Sequence, residues 1–266
     1  MPIVKTLTDA NGTTFKLGRK PPGPTRPHLK MKNYLLRSLP DPPATMDETP
    51  LAMPSLSRMF LNDQLGDCII AALYGHQRGV WSANASNGKA IVLPTDDDIQ
   101  KTYSRLFGYV PGDPTTDTGG IIQDALNDLI NSKIIDGYVS VNAHDQIELK
   151  TAIWLFGGVT FGMGLPDEWT HDLSNLKWTV AGDSDPANGH CFICPGKYDD
   201  TTVGTSTWGQ IGSMDYDSCA KYATKSNGGE CWAILSPDWI SKTTQKAPIG
   251  IDRSQLAADL DAISGS

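Results

Sequence analysis

Residues 60–77, Phe-Leu-Asn-Asp-Gln-Leu-Gly-Asp-Cys-Ile-Ile-Ala-Ala-Leu-Tyr-Gly-His-Gln, constrain the fold of this chain more than any other stretch. They open as a polar turn and become an apolar helical run at Cys68. Gly66 permits a sharp bend before the helix. Asp67 is placed as its N-cap, offering a side-chain oxygen to the first free N–H groups. Ile69, Leu73 and His76 fall near one helical face, and Ile70, Ala71 and Tyr74 widen the apolar surface, which predicts a buried helix. Cys68 then sits in the first turn, where the helix dipole favours an anion such as a thiolate. Read by itself, Cys68 is either a nucleophile or a small buried hydrophobe, as free cysteines often are.

A cysteine nucleophile needs a base. The candidate is His190, in Asn188-Gly-His-Cys-Phe-Ile-Cys-Pro-Gly-Lys-Tyr-Asp199, and a second apolar run ends at Thr207-Trp208-Gly209. His76 competes, but two helical turns place it about 12 Å from Cys68 along the axis, and it reads as a core histidine. His28, His144 and His171 lie in polar or proline-rich surroundings and read as surface residues. Cys191 and Cys194 form a Cys-x-x-Cys pair, but their odd separation on a strand points them to opposite faces. No second pair completes a zinc set, so all the cysteines other than Cys68 read as structural.

The order of helix-initial cysteine, strand-opening histidine and strand-ending Trp-Gly resembles the papain-like cysteine peptidase superfamily. A family stretch of the form His-x-x-x-x-x-Gly-x-Tyr is matched by His190, Gly196 and Tyr198. A following Asn-Ser-Trp-Gly is matched as Ser206-Thr207-Trp208-Gly209. More loosely, the proline-rich lead-in, the Asn-Asp-x-x-Gly-Asp-Cys turn and the Trp-Gly look like a group of uncharacterised proteins of tailed phages and bacterial genomes. The resemblance implies an α+β fold in which a helical half and an antiparallel sheet half meet at a cleft holding Cys68 and His190. It places Ser206 where the family has the asparagine that orients the imidazole, with Thr207 on the opposite face of the strand. It places Asn62 six residues before the nucleophile, where the family has an oxyanion-stabilising glutamine; Gln64, four before, is the alternative. Trp208 becomes a lid over His190 or simply a core residue, and no cofactor is required.

Composition sets wider bounds. The chain has 266 residues, 39% hydrophobic and 20% charged, enough for one large domain or two small ones. Its net charge of −8 excludes general nucleic-acid binding without a local basic patch. The only such stretch, with Lys16, Arg19, Lys20, Arg26, Lys30 and Lys32, is broken by prolines and reads as a solvated or partner-bound arm. No apolar stretch is long enough to span a membrane. The first residues lack a signal-peptide core and five cysteines do not make a disulfide scaffold, so a reducing cytoplasm, or a virion assembled in one, is expected.

In chain order, Ile3–Leu7 and Thr13–Leu17 flank a turn at Asp9-Ala-Asn-Gly12 and predict a hairpin. Nine prolines between residues 21 and 54 predict an extended arm without helix. Tyr34, Leu35, Leu36, Leu39 and Met59 are its expected anchors, and its basic residues are expected to reach a neighbouring subunit. Nothing marks a cleavage site, which favours a permanent docking arm over a removable propeptide. Helices are expected from Thr95 to Phe107 and from Ile121 to Asn131, around a loop at 109–120 that reads as surface or cleft rim. Strands near 138–142, 157–165, 178–181, 190–197, 201–208 and 231–235 follow, with helices at 146–156 and 215–224. The predicted organisation is an arm at 1–57, a papain-like domain at 58–240 (mainly helical to 135, mainly sheet from 136) and a tail at 241–266. Two functions fit: a cysteine hydrolase acting on a peptide or other amide, or a non-catalytic phage virion component on the same fold.

Overall fold

A computed structural model describes residues 4–23, 29–33 and 41–239 of the chain. Tyr34, Leu35, Leu36, Leu39, Arg26, His28 and the predicted tail at 241–266 lie outside the described residues. The chain opens with an antiparallel hairpin of β1 (Lys5–Thr8) and β2 (Thr14–Leu17). Its turn is closed by the Asp9 carboxylate, which accepts from the N–H groups of Asn11 and Thr13. After β3 (Met46–Asp47) come α1 (Thr49–Leu56), α2 (Cys68–Ile70), a π-helical stretch at Ala71–Gln77, α3 (Arg78–Ala85), α4 (Asp96–Phe107) and α5 (Ile122–Asn131). The second half holds β4 (Gly137–Ser140), α6 (Gln146–Phe156), β5 (Val159–Gly164), β6 (Lys177–Trp178), β7 (Gly189–Cys194), β8 (Lys197–Tyr198), β9 (Thr202–Thr207), β10 (Gln210–Asp215), α7 (Tyr216–Tyr222) and β11 (Glu230–Leu235). The main sheet runs β3-β8-β9-β7-β5-β11-β4, with β10 added on β9 and the short β6 parallel to β10. The protein is therefore α+β, helices first and an antiparallel sheet after. Among the described residues no helix is long and apolar enough to cross a membrane.

The sheet divides the interior in two. Phe161, Phe192 and Cys194 point into one cluster with Leu17 and Trp208, while Cys191, Ile193 and Trp232 point into the other with Cys68, Leu73 and Leu126. Cys191 and Cys194 thus face opposite sides, as period-2 alternation requires. All five cysteines are free and buried. Helix α4 starts where its cap predicts: Thr95 and Asp98 form a reciprocal capping box.

One expectation about the lead-in is corrected. Proline does not keep residues 18–57 free of helix, because α1 carries Pro50 at its start and Pro54 inside. The first costs nothing there. The second forfeits a backbone bond, against which α1 buries Ala52 and Leu56 completely and donates Ser55 Oγ to the Gly75 carbonyl. Two of the basic residues of the lead-in form ion pairs within the chain. Lys16 pairs with Asp117 at 3.5 Å and Arg19 with Glu230 at 2.7 Å. Phe15, Leu17 and Met31 are core residues.

Candidate active site

Cys68 opens a helix whose every residue through Gln77 is buried, and it packs against β7. The backbone N–H of Cys191, one residue beyond His190, points at its thiol, as does the N–H of Gly18 from the lead-in. His190 is the second residue of β7, wholly buried. Its Nε2 bonds Thr207 Oγ1 at 2.7 Å, and its Nδ1 is buried without a hydrogen-bond partner. The indole of Trp208 stacks over the ring at 4.3 Å between centroids.

Trp208 reaches that place through a strained turn. Trp208 and Gly209 both have positive φ, 52° and 67°, and join β9 to β10. A two-residue turn of this hand matches strand twist but disfavours a bulky residue at its first position. The stack on His190 and a bond from Trp208 Nε1 to the Lys16 carbonyl at 3.4 Å hold it there. The lid expected over the histidine is present.

The hydroxyl that meets the imidazole is that of Thr207 and not that of Ser206. Ser206 pairs across the sheet with Ile193, and its hydroxyl is buried without a partner. Ile193 faces the helical half, whereas His190 is layered with Phe192 and Trp208 toward the other cluster. Side-chain alternation therefore brings the next residue, Thr207, to the imidazole.

The two oxyanion candidates separate clearly. Gln64 is exposed, with its amide 3.5 Å from Asp63. Asn62 is buried, and its Nδ2 donates to the carbonyls of Lys16 and Leu65. Asp67 does not cap the helix: it occupies the cap position without a side-chain bond, and both carboxyl oxygens are buried without partners. Burial, then the nearby Asp117 charge, push its pKa well up. Asp117 itself, from the loop read as surface or cleft rim, is buried and accepts from Gly66 N and Tyr103 Oη.

Residues Lys16–Lys20 run through the space between these groups. Lys16 N donates to the Asn62 carbonyl, Arg19 N to Gly189, Gly120 N to Gly18 and Lys20 N to Gly120. The approach is close enough that a Cβ on Gly18 would collide with the Gly66 carbonyl, and one on Gly119 with the Gly18 carbonyl. Cys68 and His190 are both buried, and burial keeps both neutral. Burial raises the Cys68 thiol from 9.0 to about 12 and lowers the His190 imidazole from 6.5 to about 3. His76 is a core histidine, bonded through Nε2 to the Arg58 carbonyl at 2.8 Å and lowered by burial to about 4. Among the described residues no three His, Cys, Asp or Glu side chains form a metal-ligand cluster.

No protein-family model matches the sequence, and a search of curated proteins finds no match. Solved structures do match. Xylellain, a cysteine protease from Xylella fastidiosa, superposes with a TM-score of 0.60 at 16% identity, over 83% of this chain and 96% of that one. The fold is that of the papain-like cysteine peptidases. A structure concerning the mite allergens Blo t 1 and Der p 1 matches at a TM-score of 0.52 and 13% identity, over 76% of this chain and 74% of that one. The expected phage and virion connection finds no support in these neighbours. Within this fold, the residues missed by sequence reading are Thr207, Asp117, Arg19 and Glu230. The first needed the β7–β9 register; the others are joined only by tertiary contact.

Proposed function

We propose that the protein is a cysteine hydrolase of peptide or related amide bonds, with Cys68 as nucleophile and His190 as general base. The observation that carries this reading is the packing of a helix-initial cysteine against β7, the strand that bears a threonine-bonded, tryptophan-stacked histidine. The thiol would pass its proton to the imidazole as sulfur attacks the acyl carbon. The imidazolium would return it to the leaving amine, and water would then release the acyl group from sulfur. Thr207 Oγ1 accepts from Nε2–H in this scheme, which leaves Nδ1 to exchange the proton. Asn62 is the better oxyanion donor than Gln64, because its Nδ2 already donates to a carbonyl lying in the cleft. The backbone N–H of Cys68 would supply the second donor.

The arrangement described is the resting one. Cys68 and His190 share no hydrogen bond, and segment 16–20 occupies the substrate path. Catalysis therefore requires that segment to move. The test is hydrolysis of a quenched-fluorescence peptide mixture, under reducing conditions, by a Gly18→Ala chain whose new methyl group displaces the segment. Turnover that disappears on adding Cys68→Ala supports the reading. No turnover, or turnover indifferent to Cys68→Ala, overturns it.

A further inference from the structure

Arg19 fills a slot built for a guanidinium. Its side chain is 2% exposed, and Nε and Nη2 both donate to Glu230 Oε1, at 2.9 and 2.7 Å. Nη2 also donates to the Gly228 carbonyl at 2.7 Å. Glu230 is fixed independently, because its other oxygen accepts from Trp232 Nε1 at 2.8 Å. The opposite wall is Gly162, where a Cβ would stand 2.8 Å from Arg19 Nε. This fork of donors is one that lysine cannot reproduce from a single ammonium.

The slot lies one residue along the chain from the reactive centre. Gly18 N–H faces the Cys68 thiol, and Arg19 N donates to the Gly189 carbonyl beside His190. When the segment leaves, Glu230 remains as a buried carboxylate without its cation, a costly state. A ligand that takes the segment's place relieves that cost only by bringing a cation of the same shape. We propose that the cleft recognises an arginine side chain of an extended polypeptide substrate, with Glu230 as the specificity-determining residue and Arg19 holding its place in the resting chain. This rests on the hydrolase reading for the word substrate, but recognition is measured separately from turnover.

The experiment uses the full chain carrying Arg19→Ala and Cys68→Ala. It is titrated with fluorescent Leu-Gly-Arg-Lys peptide and with the same peptide bearing citrulline, the neutral isostere, in place of arginine. The arginine peptide is expected to bind at least tenfold tighter, and Glu230→Gln added to the same background is expected to erase that preference. Should Arg19→Ala impair folding, Gly18→Ala serves as the opened form in the same titration. Equal binding of the two peptides, or a preference that survives Glu230→Gln, overturns the inference. Arginine-selective binding by a chain with no hydrolytic activity would sink the hydrolase reading alone, and cleavage without arginine preference would sink the inference alone.

Discussion

Replacing His190 with glutamine isolates the cost of keeping one imidazole neutral. In the folded chain burial lowers His190 to about 3, from an ordinary 6.5. The unfolded chain therefore binds a proton below about pH 6.5 that the folded chain refuses until about 3. Stability contributed by the neutral ring is present at neutral pH and is lost as pH falls through that window. Each unit costs about 1.4 kcal/mol, so between about pH 7 and pH 4.5 the loss is roughly 2.7 kcal/mol. His76, lowered by burial to about 4, adds a loss of the same sign, and Asp67, raised by burial, contributes the opposite sign. Both cancel when the natural chain is compared with His190→Gln at each pH. Urea unfolding followed by tryptophan fluorescence gives that difference. We expect the natural chain's advantage over the variant to shrink by roughly 2–3 kcal/mol on going to pH 4.5. A difference constant to within about 0.5 kcal/mol, near the usual reach of extrapolated unfolding energies, would show that His190 is not held neutral and that the cleft is wet.

Three further outcomes follow from the same geometry. In the intact chain at neutral pH, Cys68 should resist iodoacetamide, because its thiol is buried and raised to about 12; Gly18→Ala should make it the fastest-labelled cysteine by at least roughly tenfold, read by peptide mass mapping. Thr207→Val should lower kcat of an opened, active form by roughly tenfold or more and shift its pH profile, while Thr207→Ser retains most activity and Ser206→Ala changes little. Gly119→Ala should destabilise by more than about 2 kcal/mol, combining a left-handed backbone with a collision against the Gly18 carbonyl. Gly112→Ala, equally left-handed but with open space around it, should cost only about 1 kcal/mol, measured by thermal unfolding.

Much of the fold was legible because local chemistry and tertiary structure agree. The Thr95–Asp98 capping box, the Asp9 turn and the apolar run from Cys68 all signal over a few residues what the fold then uses. What was not legible depends on register or on contacts distant in sequence. Ser206 and Thr207 differ by one position, and only the pairing of Ser206 with Ile193 decides which hydroxyl meets His190. Arg19 and Glu230 stand 211 residues apart and form one buried pair. The run of prolines hid α1, since Pro50 fits a helix start and tertiary burial of Leu56 outweighs the bond lost at Pro54.

The protonation state of Cys68 is decided by a comparison of magnitudes. A helix amino terminus stabilises an anion by about 0.3–1 kcal/mol, rising to about 2 where partly buried. Raising the Cys68 thiol from 9.0 to about 12 corresponds to roughly 4 kcal/mol against the thiolate. Burial therefore wins over the dipole, even with the N–H groups of Cys191 and Gly18 directed at the sulfur. The imidazole that would receive the proton is pushed the other way by the same cause. Both penalties trace to the exclusion of water, and segment 16–20, tied to Asn62, Gly120, Gly189 and Glu230, is what covers the thiol. Moving that segment removes one donor, Gly18 N–H, and readmits solvent to both groups. The thiol then falls and the imidazole rises toward their ordinary values, and only then can the small helix-end contribution favour a thiolate–imidazolium pair. The helix dipole thus favours a thiolate at Cys68 only in the opened cleft, and occupancy of the cleft by residues 16–20 governs whether it does so.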